Sequence, residues 1–180
     1  MHSAPHRARQ ARPTRPLSTS HSPGALDDPD LPRILRDACE GAGWSYAEAW
    51  VPDAEGVGLV LHPAWYGDHL AARFFRPPTE ALAFTPGTGL PGRAARAREL
   101  VVLPDITVDP QFCRPTAARK AGLRAGLAVP VVAGGKVVAV LAFFGRATPL
   151  AGDPMGALAR DVATLLAARV AAPVGQPSTA

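Results

Sequence analysis

The sequence predicts an α+β domain built on a single antiparallel sheet. Two tight hairpins and the helices that flank them carry that prediction. The stretch "WSYAEAWVPDAEGVGLVLHPAW" holds two strand-like runs around a turn signal, and "AGLAVPVVAGGKVVAVLAFFGR" holds two apolar runs joined at Gly134-Gly135. Strands joined so tightly are antiparallel. Helical apolar spacing opens and closes the same region.

Taken in order, residues 1–28 are rich in Pro, Ser and Arg and poor in large apolar groups. They bury too little to offset the entropy of ordering and are expected to be a disordered basic tail. The folded part is expected to span residues 29–172, with 173–180 a second disordered tail. Leu31, Ile34, Leu35 and Ala38 follow the i, i+3, i+4, i+7 spacing of a helix that Gly41 can end. In the first hairpin, alternation puts Trp44, Tyr46, Glu48 and Trp50 on one face and Ser45, Ala47, Ala49 and Val51 on the other. "HLAARFFRPPTEALAF" is less regular, and Pro77-Pro78 forbids one continuous helix there. "ELVVLPD" reads as a short strand, and "PQFCRPTAARKAG" turns helical near Thr116 and stops at Gly122. The last helix is expected to open with Asp153 as N-cap and Pro154 at N1. Its expected apolar face is Met155, Leu158, Val162, Leu165 and Leu166.

Bulk properties exclude several classes. The chain has 180 residues, enough for one domain plus a tail, and 47% are apolar, enough for a core. The formal charge of +4 is local: Arg7, Arg9, Arg12 and Arg15 stand in an acid-free leader, and without them the 19 basic residues fall level with the 15 acidic ones. A basic excess confined to a tail argues against specific nucleic-acid reading by the domain. Cys39 and Cys113 cannot make a disulfide framework, and two thiols with few histidines do not suggest structural zinc. No apolar run approaches the roughly 18 residues of a membrane span, and no apolar leader precedes the domain. A cytoplasmic protein without a membrane partner is the expectation.

Gly87, Gly89 and Gly92 in "FTPGTGLPGRA" match G-x-G-x-x-G, the spacing of pyrophosphate-binding loops. That loop needs a buried strand before it and a full helix after it. Pro86 spoils the strand end, "RAARARE" allows at most two helical turns, and no Walker lysine-serine pair follows. The glycines are expected to allow tight turns and to let a short helix start at Leu90-Pro91 close to its neighbours.

The segments "F-x-x-G-x-G-L-P-G-R" (84–93), "LPDITVDPQFCR" and "AGLRAGLAVPVVAGGKVVAVLAFF", with "GWSYAEAWVP" upstream, resemble a GAF domain of the kind found beside PAS domains and histidine kinases in bacterial sensors. The resemblance covers about residues 30–172. It implies a GAF-like central antiparallel sheet of five to six strands with helices on both faces. The first and last helices would pack on one face and form a homodimer bundle. The other face, under residues 66–124, would hold a small-molecule pocket, which in this family serves cyclic nucleotides, haem, bilins or metabolites. The cyclic-nucleotide signature N-K-x-x-x-F-x-x-x-D-E is absent, as is the cysteine set of the GAF-fold free methionine sulfoxide reductases, so no cofactor is named and no enzymatic activity is expected. Output is expected to pass to a separate kinase or regulator, or through dimer rearrangement. A non-ligand-binding interaction module, read through helices 31–40 and 155–170, is the alternative.

The resemblance and the residue chemistry together mark Trp50, Phe84, Arg93, Asp105, Phe112, Cys113, Arg114 and Phe143 as ligand-site candidates. Arg93, Arg114 and Arg124 have guanidinium forks suited to carboxylate or phosphate, or to pairing with Asp105 or Asp109. Asp105 and Asp109 could instead cap turns in "DITVDP". Phe84 and Phe112 stand out in an aromatic inventory that includes Trp65, Phe74, Phe75 and Phe144. Cys113 lies nine residues before Gly122, the register of the bilin-attaching cysteine, but Arg114 stands where a His would be and Ala117 where a Tyr would be. Beside Arg114 its thiol could be acidified into a redox sensor. His62 and His69 are possible axial haem ligands or ordinary polar histidines.

Overall fold

The computed structural model describes residues 25–147 and 154–172. Among the described residues twelve elements follow one another: α1 (Leu31–Ala42), β1 (Tyr46–Pro52), β2 (Leu59–Gly67), α2 (His69–Phe74), α3 (Arg76–Thr79), β3 (Ala83–Phe84), α4 (Gly89–Ala97), β4 (Val101–Leu103), α5 (Pro115–Ala121), β5 (Ala125–Ala133), β6 (Lys136–Gly145) and α6 (Met155–Ala171). The strands form one sheet in the order β3-β2-β1-β6-β5-β4. Every pairing is antiparallel. The expected α+β sheet is therefore present, with β1 and β6 at its centre.

The hairpin turns follow from glycine chemistry. Gly134 and Gly135 have φ of 53° and 73°, the left-handed pair that a two-residue turn requires. Gly122 ends α5 at φ 71°, and its N–H donates to the Ala118 and Arg119 carbonyls of the helix. The first helix runs past Gly41 and ends instead at Gly43, which is left-handed at φ 71°.

The sheet has two covered faces. On one, α1 and α6 pack through Leu31, Leu35, Ala38 and Cys39 and through Ala159, Val162, Ala163 and Leu166 onto Ala47, Ala49, Leu127, Leu141 and Phe143. On the other, the connector α2–α5 lays Phe75, Phe84, Leu90, Ile106, Phe112 and Ala118 over Tyr46, Trp50, Val140 and Phe144.

Several expectations are corrected at element ends. Trp44 does not share the face of Tyr46 and Trp50; it packs on the α1/α6 side, 6.3 Å from the Phe143 ring. Alternation holds only inside a strand, and β1 begins at Tyr46, after the turn at Gly43. Packing starts before residue 29: Leu26 is buried, and its N–H donates to the Val138 carbonyl at 3.2 Å. Asp28 and Asp30 accept from Arg169 of α6 at 3.0 and 3.3 Å, fastening this entry segment to the last helix. The N-cap of α6 is Pro154; Asp153 lies outside the described residues, as do 1–24, 148–152 and 173–180. Leu165 is 47% exposed. It sits off the stripe of Ala159, Val162, Ala163 and Leu166 that faces the sheet, and the two alanines in that stripe allow a close approach.

The connector owes its start to Asp68, whose side chain caps α2 by accepting from the N–H groups of Leu70 and Ala71. Partial burial raises its pKa, but the Arg146 contact at 2.7 Å and the two N–H bonds outweigh that, and the carboxyl is held below its usual value. Asp68→Ala is expected to cost about 1 kcal/mol, read as a lower urea midpoint at unchanged slope. A depressed folded pKa means that the charge contributes above the ordinary carboxylate pKa and is lost as pH falls through the folded value. The gap between wild type and Asp68→Asn, which keeps the cap but not the charge, should therefore close below about pH 4.

Candidate functional site

The connector face is organised around one buried charge pair. Glu48 is the acid in an otherwise apolar β1, and its carboxylate is fully buried. Arg114 Nη2 donates to its Oε1 at 2.8 Å and Nη1 to its Oε2 at 3.1 Å, a two-pronged contact. Trp50 Nε1 donates to the same Oε1 at 2.9 Å. Arg114 Nη1 also donates to Thr79 Oγ1, which in turn donates to the Phe75 carbonyl. The guanidinium lies 4.1 Å from the Phe75 ring centre, 5.3 Å from Phe144 and 5.7 Å from Phe112. Burial works against the charge on Arg114; Glu48 beside it prevails and keeps the group charged.

Two features place Arg114 there. Asp109 accepts from the Gln111 N–H at 2.9 Å, and the Phe112 N–H donates to the Asp109 carbonyl. That turn brings Phe112 and Arg114 inward and leaves Cys113 between them exposed. Pro115 then starts α5 directly after Arg114.

Beside the pair stand Tyr46 and Arg76. Tyr46 meets Phe75 edge-on, with ring centres 5.1 Å apart, so Tyr46 and Arg114 flank the same ring. Burial, and after it the Glu48 charge, push the Tyr46 phenol far above its ordinary pKa; Arg76 and Arg114 pull weakly the other way. The phenol is therefore a neutral donor at any physiological pH. Arg76 reaches over the Trp65 ring at 5.1 Å and binds Glu80 through Nε at 3.1 Å.

The sequence-derived candidates separate into three groups. Trp50, Phe84, Phe112 and Arg114 come together: Phe84 meets Trp50 edge-on at 4.7 Å, and all four are buried. Arg93 and Asp105 belong to the rim. Arg93 pairs with Asp109 at 3.1 Å, and Asp105 pairs with Arg124 at 2.5 Å while capping its own turn through the Thr107 N–H and hydroxyl. Phe143 is corrected: it points into the α1/α6 core, and Phe144 occupies the connector face. Phe144 is opposite Tyr46 and Phe143 opposite Ala47, and side chains of paired residues share a face. Glu48, Thr79, Phe75, Tyr46 and Arg76 were missed as site residues.

The thiols differ. Cys39 is buried in α1, and burial, helped by Glu40, pushes its pKa up to about 12. Cys113 is exposed, yet desolvation against the packed connector raises its pKa, and Arg114, committed to Glu48, only partly offsets this. Arg114 acts on the thiol in the expected direction, but desolvation outweighs it, so the net shift is upward. A colorimetric thiol titration of native protein is expected to count one cysteine, reacting more slowly than a free thiol, and two after unfolding. His62 accepts from its own strand at the Ala64 N–H, and His69 is the exposed first residue of α2. Among the described residues, no cluster of His, Cys, Asp or Glu is arranged to hold a metal.

The glycine run serves the connector. Gly87 and Gly89 are left-handed at φ 94° and 57°, and the Gly87 N–H donates to the Gly92 carbonyl at 2.6 Å. The turn is closed on its own backbone and leads into α4, which sets Leu90 and Ala94 on the sheet.

A GAF domain family model matches residues 31–172, well over half of the chain. The chain belongs to the GAF domain family. Solved structures agree on the GAF fold. The GAF domain/HD domain protein from Geobacter sulfurreducens superposes with a TM-score of 0.62 at 20% identity, over 81% of this chain and 94% of that one. The GAF domain of a phosphoenolpyruvate-protein phosphotransferase from Coxiella burnetii gives 0.61 at 20% identity, over 80% and 84%. A free methionine-R-sulfoxide reductase from Neisseria meningitidis, in complex with its substrate, gives 0.60 at 20% identity, over 78% and 75%. No curated protein matches the chain. The GAF family supports a sensory or interaction role. No helix among the described residues is long and apolar enough to cross a membrane.

Proposed function

We propose that this GAF domain is a non-enzymatic bacterial sensor that binds a small molecule between sheet and connector and signals through protein contacts made by α1 and α6. One observation supports this above others: the connector face buries an arginine, a glutamate and a tyrosine hydroxyl inside an apolar core. A buried ion pair of this kind is often no more stable than apolar residues of similar volume. Polar groups retained at that cost mark functional sites. A ligand that favours one arrangement of the connector shifts the sheet packing that α1 and α6 read from the opposite face. The output partner is a separate kinase or regulator, and the site of action is the cytoplasm. Native mass spectrometry of protein from its own host, compared with the denatured mass, tests the reading. Extra mass lost on denaturation is the expected result. A bare mass together with no small molecule that stabilises the protein would refute it.

A second reading, a homodimerising interaction module without ligand, is favoured by the α6 side. A groove of about 560 Å³ runs between α6 and β5, lined by Leu100, Val129, Pro130, Ala163 and Ala167 with Arg98 and Arg160. Leu165 is 47% exposed on the same helix. Sedimentation of wild type and Leu165→Glu separates the two readings: a dimer lost in the variant, with no ligand found, favours the module.

A further inference from the structure

Three polar atoms on the connector face are buried without a hydrogen-bond partner: Tyr46 Oη, Arg76 Nη1 and Arg114 Nε. Tyr46 and Arg114 are almost wholly buried, and the Arg76 side chain is 12% exposed. They belong to one neighbourhood: Tyr46 and Arg114 both lie against the Phe75 ring, with centres 5.1 and 4.1 Å away, and Tyr46 and Arg76 both lie against the Trp65 ring, at 6.0 and 5.1 Å. All three offer protons. Guanidinium groups have no acceptor, and a neutral phenol has one proton to give. Turning Arg76 Nη1 to donate to the Tyr46 oxygen would still leave the phenolic proton and the Arg114 Nε–H unanswered. Buried donors left unpaired are costly and rare in folded proteins. The local charge favours an acceptor that is negative: Glu48 is engaged by Arg114 and Trp50, and Glu80, the other partner of Arg76, is 60% exposed and screened.

We propose that this face binds a small monoanion, a carboxylate or a simple inorganic ion, held by Tyr46 Oη, Arg76 Nη1 and Arg114 Nε. The assignment rests on the sensor reading above and specifies the chemistry of its ligand. The Glu48–Arg114 pair acts as a positioning device: it fixes the guanidinium plane through both Nη atoms and leaves Nε as the free edge. The surrounding aromatic rings exclude water and favour a ligand with little bulk beyond its charged end.

Thermal unfolding of the full chain, titrated with sodium acetate, chloride and nitrate in low-salt bulky buffer, tests this. A saturable rise is expected with at least one anion, equivalent to about a 100-fold larger folding constant at 100 times Kd. Acetate acting alone would identify a carboxylate; chloride or nitrate acting equally would identify an inorganic ion. Tyr46→Phe and Arg76→Gln should weaken that response at least tenfold. Tyr46→Phe should also be no less stable than wild type without anion, because its hydroxyl has no partner to lose. Several results would overturn the proposal. A linear, non-saturating response shared by Tyr46→Phe would be a general salt effect. A destabilised Tyr46→Phe without anion would mean that water or Arg76 already serves the hydroxyl. Saturable binding of a neutral compound with none for anions would overturn the anion class and leave the sensor reading standing. If no small molecule stabilises the protein and its native mass is bare, both readings fall.

Discussion

Arg114→Met is expected to destabilise the protein by about 3–5 kcal/mol, because it leaves the Glu48 carboxylate charged, buried and unpaired. Glu48→Leu is expected to cost a similar amount for the mirror reason. The double variant should be more stable than either single one, since it removes both charges from an environment that disfavours each alone. Recovery should be incomplete. Trp50 Nε1 loses its acceptor in the double variant, and an orphaned buried donor costs about 1–3 kcal/mol. Urea melts of the four proteins measure the cycle. Single variants within 1 kcal/mol of wild type, a small loss by the scale of a broken buried pair, would mean that water reaches the pair. Costs that simply add would mean that the two groups do not interact. A strong positive coupling would establish the pair as the fixed frame against which Arg76 and Tyr46 are set.

The legible part of the fold was local. The turn at Gly134-Gly135, the end of α5 at Gly122 and the stripe Leu31, Ile34, Leu35 and Ala38 each follow from a few neighbouring residues. The connector was less legible because its elements are too short to hold themselves. α3 has four residues and β3 two, and their conformation depends on packing against the sheet. The site was legible by residue type and not by pairing. Arg93, Arg114 and Arg124 looked equivalent in sequence. Only Arg114 is buried, because the turn at Asp109 aims it inward, toward a partner 66 positions away. Glu48 carried a signal that could have been used: an acid sharing the strand face of Tyr46 and Trp50. Phe143 and Phe144 are chemically identical neighbours, so only the register with β1 decides which of them faces the connector.

Gly92→Ala tests the glycine run through a change of sign. Gly92 lies within α4 with no positive φ, and helix propensity alone predicts that alanine there gains up to about 1 kcal/mol. Sterics predict a loss. A Cβ at Gly92 would lie 2.3 Å from the Thr85 carbonyl oxygen and 3.3 Å from the Gly87 nitrogen, both backbone atoms that cannot swing aside. Making room means opening the Gly87–Gly92 hydrogen bond or lifting α4, which carries Leu90 and Ala94, from the sheet. The expected cost is about 3 kcal/mol, the upper part of the range for overpacking. Gly134→Ala serves as the comparison, since its φ of 53° is strained for alanine but no atom lies within 4 Å of the added Cβ. Left-handed strain by itself costs about 1–2 kcal/mol, so Gly134→Ala should be the milder change. Both are read as urea midpoints. A stabilised Gly92→Ala would mean that the loop yields easily, and α4 would then be a mobile cover over Trp50 and Phe84. The expected loss would instead make the turn a rigid strut, and access to the buried arginine would have to come from movement of α2 and α3, which hold Phe75 at their junction and carry Arg76 and Thr79 on α3.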